Sequence, residues 1–313
     1  MSPAKPRVLC IVGPTCSGKT AFAVEVARRI PAEIISADSR QVFRQLTIGT
    51  AKPPIEILRE FPHHFIDIVD PDQPYSAGQF GHDAARTIDE IAARGRHPIV
   101  VGGSGLYLRA LIDGMHHAPG HDPAIRAMLE QRMAVEGVDA LFDELRNCDP
   151  LSAERIAMKH KRRIIRALEV FRATGIPLSQ WQDQKTEPAF VAEQIGLRWE
   201  RRELYARIDA RVDAMMDMGL LDEVRGLLAR GFTDALQSLN TPGYKELFAH
   251  LRGEISLDRA VELIKQHSRN YAKRQVTWFS ADERVRWIDV AVDSSFEAVA
   301  DSVIRGRGAG AGG

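Results

Sequence analysis

The feature that most constrains this chain is an octapeptide near its start, Gly13-Pro14-Thr15-Cys16-Ser17-Gly18-Lys19-Thr20, directly after the apolar, β-rich run Val8-Leu9-Cys10-Ile11-Val12. Two glycines five positions apart, then lysine and a hydroxyl residue, make a loop whose backbone N–H groups can curl around phosphate oxygens. A helix pattern follows from about Lys19 to Arg29, so a bound anion would also meet the positive end of a helix dipole. Lys19 supplies a point charge, and the Thr20 hydroxyl stands where a magnesium ligand is needed. The strand ahead of the loop reads as a buried parallel strand of an open α/β sheet.

The alternation continues. Glu33-Ile34-Ile35-Ser36, Phe65-Ile66-Asp67-Ile68-Val69 and Pro98-Ile99-Val100-Val101 read as buried strands, with an amphipathic helix from Gly78 to Arg94 between the last two. The implied fold is α/β: a P-loop NTPase-like parallel sheet flanked by helices. Residues 1–114 form the first part of that core. Residues 115–193 read as a mainly helical insertion, with patterns such as Asp122 to Glu136 and Lys161 to Thr174. Residues 194–300 return to the core through Gln194-Ile195-Gly196-Leu197-Arg198-Trp199 and are otherwise mainly helical. Residues 301–313, ending in a glycine-rich run, are expected to be a flexible tail.

A chain of 313 residues with 44% hydrophobic content can build such cores without staples. Cys10, Cys16 and Cys148 are too few and too scattered for a disulfide framework or a zinc site. No secretory leader or membrane-spanning stretch is evident, and the expectation is a cytoplasmic monomer. Lysine plus arginine and aspartate plus glutamate each number 42. A nucleic-acid partner would therefore be met by local patches, not by net charge.

The loop alone says that phosphates are held. Nucleotide hydrolases and kinases of this class add an acid at the end of a neighbouring strand. Here the strand at Pro98–Val101 runs into Gly102-Gly103-Ser104-Gly105, which has no carboxylate. The alternatives are Asp38, Asp67 and Asp70, each at the carboxyl end of a predicted strand, where ligands of open sheets bind.

Asp38 lies in Ile35-Ser36-Ala37-Asp38-Ser39-Arg40-Gln41-Val42-Phe43, followed by Ile48-Gly49-Thr50-Ala51-Lys52-Pro53. These blocks resemble the tRNA dimethylallyltransferase family, also called isopentenyltransferases. The likeness continues through His63-His64-Phe65-Ile66-Asp67, Tyr75-Ser76, Val101 to Tyr107, Asp149-Pro150, Arg163 to Val170, Gly243-Tyr244-Lys245 and Ala272-Lys273-Arg274-Gln275. It covers roughly residues 7 to 290. Ser104 stands where the family usually has threonine, Phe43 replaces a usual tyrosine, and Pro242 precedes Gly243 where an aliphatic residue is common.

The resemblance implies transfer of a dimethylallyl group from its diphosphate to the exocyclic amine of an adenosine beside the tRNA anticodon. Asp38 would be the base that takes the amine proton, and Ser104 would orient that amine. Gly13 to Thr20 would hold the diphosphate with magnesium at Thr20, and Arg207 would stabilise the leaving group. Asp38, Ser39, Arg40, Gln41 and Ser104 would grip a base splayed from the anticodon loop. Further RNA contacts are expected at Arg126, at Gly243, Tyr244 and Lys245, and at Arg162, Arg163, Ile164, Ile165 and Arg166.

On a helix, the three arginines of that last segment fall within about 100°, opposite the face of Ile164, Ile165, Leu168 and Phe171. Lys265, Arg269 and Lys273 form a second basic stripe, which reads equally as a solvated helix face. His63 and His64 lack a metal-ligand pattern and read as structural. Two other functions share the loop. One is a small-molecule or nucleoside kinase using ATP, and the other is an RNA-binding protein whose loop holds a structural phosphate.

Overall fold

The computed structural model describes residues 5–114, 122–156, 160–183 and 188–309. In chain order the elements are β1 (Arg7–Val12), α1 (Lys19–Ala27), β2 (Ala32–Ser36), α2 (Ile55–Glu60), β3 (His63–His64), α3 (Ala77–Ala93), β4 (His97–Gly102), α4 (Gly105–Ile112), α5 (Pro123–Val135), α6 (Gly137–Cys148), α7 (Pro150–Arg155), α8 (Lys161–Thr174) and α9 (Leu178–Asp183). The chain continues through β5 (Val191–Trp199), α10 (Arg201–Asp217), α11 (Leu220–Ala229), α12 (Tyr244–Leu251), α13 (Leu257–Ser280), β6 (Val285–Val290) and α14 (Phe296–Ala309). They divide into two compact units: Met1–Leu108 with Ala189–Gly313, and Arg109–Pro188.

The first unit is built on a six-stranded sheet in the order β3-β2-β4-β1-β5-β6, parallel throughout. β1 lies inside the sheet with Val8 to Val12 at 0% exposure, which is why it reads as an unbroken apolar run. Its core joins Leu9, Ile11, Phe22, Ile99, Ile195 and Leu197 to Leu204 and Ile208 of α10. The carboxyl ends of β1, β2 and β4 open on the same edge, where the chain order switches from one side of β1 to the other.

Three expectations need correction. Phe65 to Val69 is not a strand: Phe65 and Asp67 take φ of 64° and 56°, left-handed values that break a ladder, and β3 ends at His64. Only Val69 pairs, in an isolated bridge with Phe43. The segment from residue 301 is not a tail as far as Ala309, because α14 continues through it. Ala300 and Val303 are buried in the sheet core, and Asp301 accepts from Arg29 Nε at 2.5 Å; residues 310–313 lie outside the described residues. The helical unit spans Arg109–Pro188, not 115–193, since Val191 to Glu193 already pair with β1. Met115 itself lies outside the described residues. β6, which the sequence pattern did not single out, closes the sheet beside β5.

The second unit is all-helical among the described residues, with a core of Leu129, Met133, Leu141, Leu145, Ile164, Ile165 and Leu168. Asp149 anchors it from within. At 1% exposure, its carboxylate accepts the N–H of Ser152 and of Ser179, each at 3.0 Å, which holds the acid below the usual carboxylate range against the opposing effect of burial.

Candidate active site

The phosphate loop is shaped by its glycines. Gly13 and Gly18 take φ of 139° and 88°, conformations that side chains resist. No side chain caps α1, and its first turn carries no acid, so its N–H groups remain available to an anion. The loop is held from behind. Trp199 Nε1 donates to the Ser17 carbonyl at 3.0 Å, and the Gln275 side chain accepts the Thr15 N–H at 2.8 Å. Arg207 stacks over Trp199, its guanidinium 4.2 Å from the ring centre, and donates through Nε to the Cys16 carbonyl at 3.0 Å.

The Lys19 ammonium donates to the Pro14 carbonyl at 2.6 Å. Burial pushes its pKa down to about 8, with Asp38 opposing that shift. A cavity of about 570 Å³ opens on the loop, with Lys19, Thr20, Asp38, Lys52, Arg207 and Arg211 among its walls. A second, of about 190 Å³, is lined by Ser39, Arg40, Gly49, Thr241, Gly243 and Met215. Asp38, Thr50, Arg211 and Tyr271 line both. Asp38 therefore faces both the cavity that opens on the Gly13–Thr20 loop and a neighbouring one.

Asp38 is set by its own turn. Its Oδ1 accepts the N–H of Arg40 at 2.8 Å and of Gln41 at 3.4 Å, an Asx-type turn that fixes the carboxylate. The Ser104 hydroxyl accepts the Ser39 N–H at 2.9 Å and donates to Ser39 Oγ at 3.2 Å. Ser104 thus ties the end of β4 to the Asp38 turn. Gln41 donates to the Thr50 and Ala51 carbonyls, each at 3.2 Å.

Asp67 and Asp70 are placed otherwise. Asp67 pairs with the Lys52 ammonium, and Asp70 pairs with Arg44 at 3.2 Å; their side chains are 46% and 51% exposed. His64 pairs with Glu33 at 2.7 Å, and His63 Nδ1 meets the Phe61 carbonyl at 2.8 Å.

Several expected RNA contacts are buried or engaged elsewhere. Tyr244 is at 0% exposure, with its hydroxyl on Glu223 Oε1 at 2.7 Å, so its ring packs as a core pillar. Gly243 lines the smaller cavity, and Lys245 lies 3.6 Å from Glu246. In the helical unit Ile164 and Ile165 are buried at 0% and 5% and serve its core. Arg166 donates to Glu169, which is fully buried, at 3.0 Å, and Arg126 lies 3.5 Å from the same carboxylate. Arg162 and Arg163 are exposed. Of the second stripe, Lys265 pairs with Asp213 at 2.6 Å and Arg269 with Asp209 at 2.5 Å, which ties α13 to α10.

Sequence reasoning missed Arg211, Tyr271 and Gln275. Arg211 follows Arg207 by one helical turn, and Tyr271 and Gln275 share a face of α13 at the same spacing, so helical periodicity could have found all three.

A family model described as IPP transferase matches residues 41–282. The chain is 45% identical over 302 residues to tRNA dimethylallyltransferase 2 of Geotalea uraniireducens, covering 96% of this chain and 97% of that protein. It is 44% identical to the tRNA dimethylallyltransferase of Geobacillus kaustophilus, covering 96% and 95%. Among solved structures, the full-length tRNA isopentenylpyrophosphate transferase of Bacillus halodurans superimposes with a TM-score of 0.70 at 40% identity, covering 96% of each chain. A eukaryotic dimethylallyltransferase acting on tRNA superimposes with a TM-score of 0.82 at 27% identity, covering 96% of this chain and 77% of that one.

Proposed function

The chain belongs to the tRNA dimethylallyltransferase family, and on that premise we propose that it moves the dimethylallyl group of dimethylallyl diphosphate onto N6 of the adenosine 3′-adjacent to the tRNA anticodon, giving N6-isopentenyladenosine and diphosphate. The observation that carries this reading is the Asp38 carboxylate on the wall of two adjoining cavities, one built on the phosphate loop. The diphosphate occupies the larger cavity with its reactive carbon toward Asp38. A splayed adenine enters the smaller one.

In the transfer, N6 attacks the first carbon of the dimethylallyl group. The N–C bond forms, the C–O bond to diphosphate breaks with its electron pair leaving on oxygen, and the N6 proton passes to Asp38. Oδ1 is occupied by two backbone N–H groups, which leaves Oδ2 to take the proton. Charge building on the departing diphosphate is met by the N–H groups of the α1 first turn, by Lys19, and by Arg207 and Arg211. Ser104 keeps the Asp38 turn in register with the end of β4.

A divalent cation fits this cavity by the chemistry of its donors. The Thr20 hydroxyl lines it and is a hard oxygen ligand of the kind magnesium takes beside phosphate oxygens. Thr20 would hold the ion, which when bound supplies further neutralisation of the diphosphate. RNA affinity comes from exposed cations, Arg162 and Arg163 on α8 and Lys273 on α13, and from Arg40 at the smaller cavity.

No described helix is long and apolar enough to cross a membrane, which suits a substrate met in solution. The kinase reading lacks support from the relatives, which are named as tRNA-modifying transferases. Incubation with radiolabelled dimethylallyl diphosphate and unmodified tRNA tests the proposal. Label is expected in the RNA without ATP, whereas stoichiometric ATP consumption with a phosphorylated small-molecule product would favour the kinase.

A further inference from the structure

The stretch 46–52 reaches both cavities: Gly49 and Thr50 line the smaller, and Thr50, Ala51 and Lys52 line the larger. No regular element holds this stretch. It is gripped instead by one carboxylate from far along the chain. Glu223 of α11 accepts the Thr47 N–H at 3.0 Å and the Ile48 N–H at 2.7 Å on Oε2, and the Gly49 N–H at 3.2 Å on Oε1. Its Oε1 also accepts the Tyr244 hydroxyl at 2.7 Å. A carboxylate offers about four lone-pair sites, so these donors fill it.

The grip needs a glycine at 49. A Cβ at Gly49 would lie 2.6 Å from the Tyr244 ring, so Tyr244 and Glu223 fit a bare backbone. From there the hydrogen bonds run on to the reacting centre. Thr50 and Ala51 accept from Gln41, Gln41 Oε1 accepts from Ser36 Oγ at 2.9 Å, and the Gln41 N–H rests on Asp38. Lys52 closes the other end, donating to the Phe43 carbonyl at 2.7 Å.

We propose that Glu223 is a positioning residue for prenyl transfer: it fixes the wall at residues 46–52 and, through Gln41, the Asp38 turn. The inference rests on the transfer reading above. It assigns Glu223 its main effect on the rate of the chemical step, because the loop that grips the diphosphate is held separately by Trp199 and Gln275. Glutamine in its place would turn a donor NH2 toward backbone N–H donors. Aspartate would keep the charge but fall one methylene short.

The test is single-turnover transfer at saturating tRNA and dimethylallyl diphosphate for wild type, Glu223→Asp and Glu223→Gln, with diphosphate affinity and amide hydrogen exchange measured alongside. Displacement of a reacting group by about 1 Å costs about 100-fold, so Glu223→Gln is expected to lose about 10- to 100-fold in rate and Glu223→Asp less. Affinity for dimethylallyl diphosphate should stay within about threefold. The Thr47, Ile48 and Gly49 amides should be protected in wild type and exposed in the folded glutamine variant. A glutamine variant with a wild-type rate would overturn the proposal, as would a rate loss matched by equal loss of diphosphate affinity. Should that variant not fold, a wild-type rate in Glu223→Asp or unprotected amides at 47–49 in wild type would overturn it. Wild-type transfer itself reports on the reading of function, and amide exchange reports on the grip without any turnover.

Discussion

Gln275 accepts the Thr15 N–H at 2.8 Å and, from the same side chain, donates to the Gly103 carbonyl at 2.8 Å. A single buried amide of α13 therefore joins the phosphate loop to the turn that carries Ser104. Replacing it by alanine leaves both backbone groups without that partner, at about 1–3 kcal/mol for each group stranded. Gln275→Ala should lower the denaturation midpoint and raise KM for dimethylallyl diphosphate. Gln275→Glu should raise KM further, since it loses the donor to Gly103 and adds negative charge beside the diphosphate. An unchanged KM in both variants would remove the bridge from the phosphate site.

Lys19 gives a pH dependence whose sign follows from its depressed pKa of about 8. The ammonium is charged below that value and neutral above it, and diphosphate favours the charged form. KM for dimethylallyl diphosphate should therefore be flat below pH ~7 and rise by up to about tenfold per pH unit above pH ~8. Lys19→Arg keeps its charge and should flatten the profile. The same depression below the ordinary 10.5 opposes folding at low pH, a cost that disappears as pH rises from about 8 toward that value. A wild-type KM that stays level up to pH ~9.5 would contradict this role for Lys19.

On the helical unit the charges separate by what they touch. Arg162 and Arg163 are exposed, while Arg166 answers the buried Glu169. The double variant Arg162→Ala/Arg163→Ala should weaken tRNA binding and reduce the log–log salt slope by about 1.4 to 1.8, at 0.7 to 0.9 per phosphate contact. Its melting temperature should hold. Arg166→Ala should instead destabilise the unit by stripping a buried carboxylate of one partner. Filter binding against potassium chloride decides it: an unchanged slope would make Arg162 and Arg163 ordinary solvated surface.

Sequence made the phosphate loop legible because its chemistry is local: Gly13, Gly18, Lys19 and Thr20 are contiguous and their context is one strand and one helix. Asp38 was legible through its family block. What the pattern hid was the partnering of long side chains. Helix periodicity separates Arg162, Arg163 and Arg166 from the isoleucines, yet it cannot reveal that Glu169 sits one turn away at full burial. Tyr244 stands in a polar-looking block, but its ring is needed to back Gly49. The run Phe65 to Val69 has strand composition, yet Phe65 and Asp67 take left-handed backbone, while Asp67 pairs with Lys52 and Val69 bridges to Phe43. Periodicity can put Gln275 on the Tyr271 face, but Glu223 and Gln275 act on residues more than 170 positions away, and no local pattern names those partners.

The proposed transfer of the amine proton to Asp38 is tested by single-turnover transfer by Asp38→Ala on saturating tRNA and dimethylallyl diphosphate, with tRNA affinity measured in parallel. A base acts in the transition state and contributes little to ground-state binding. The Asp38→Ala rate should be lower by about two orders of magnitude or more, with tRNA affinity within a few fold of wild type. A rate within about tenfold of wild type would contradict it and take Asp38 out of the base role.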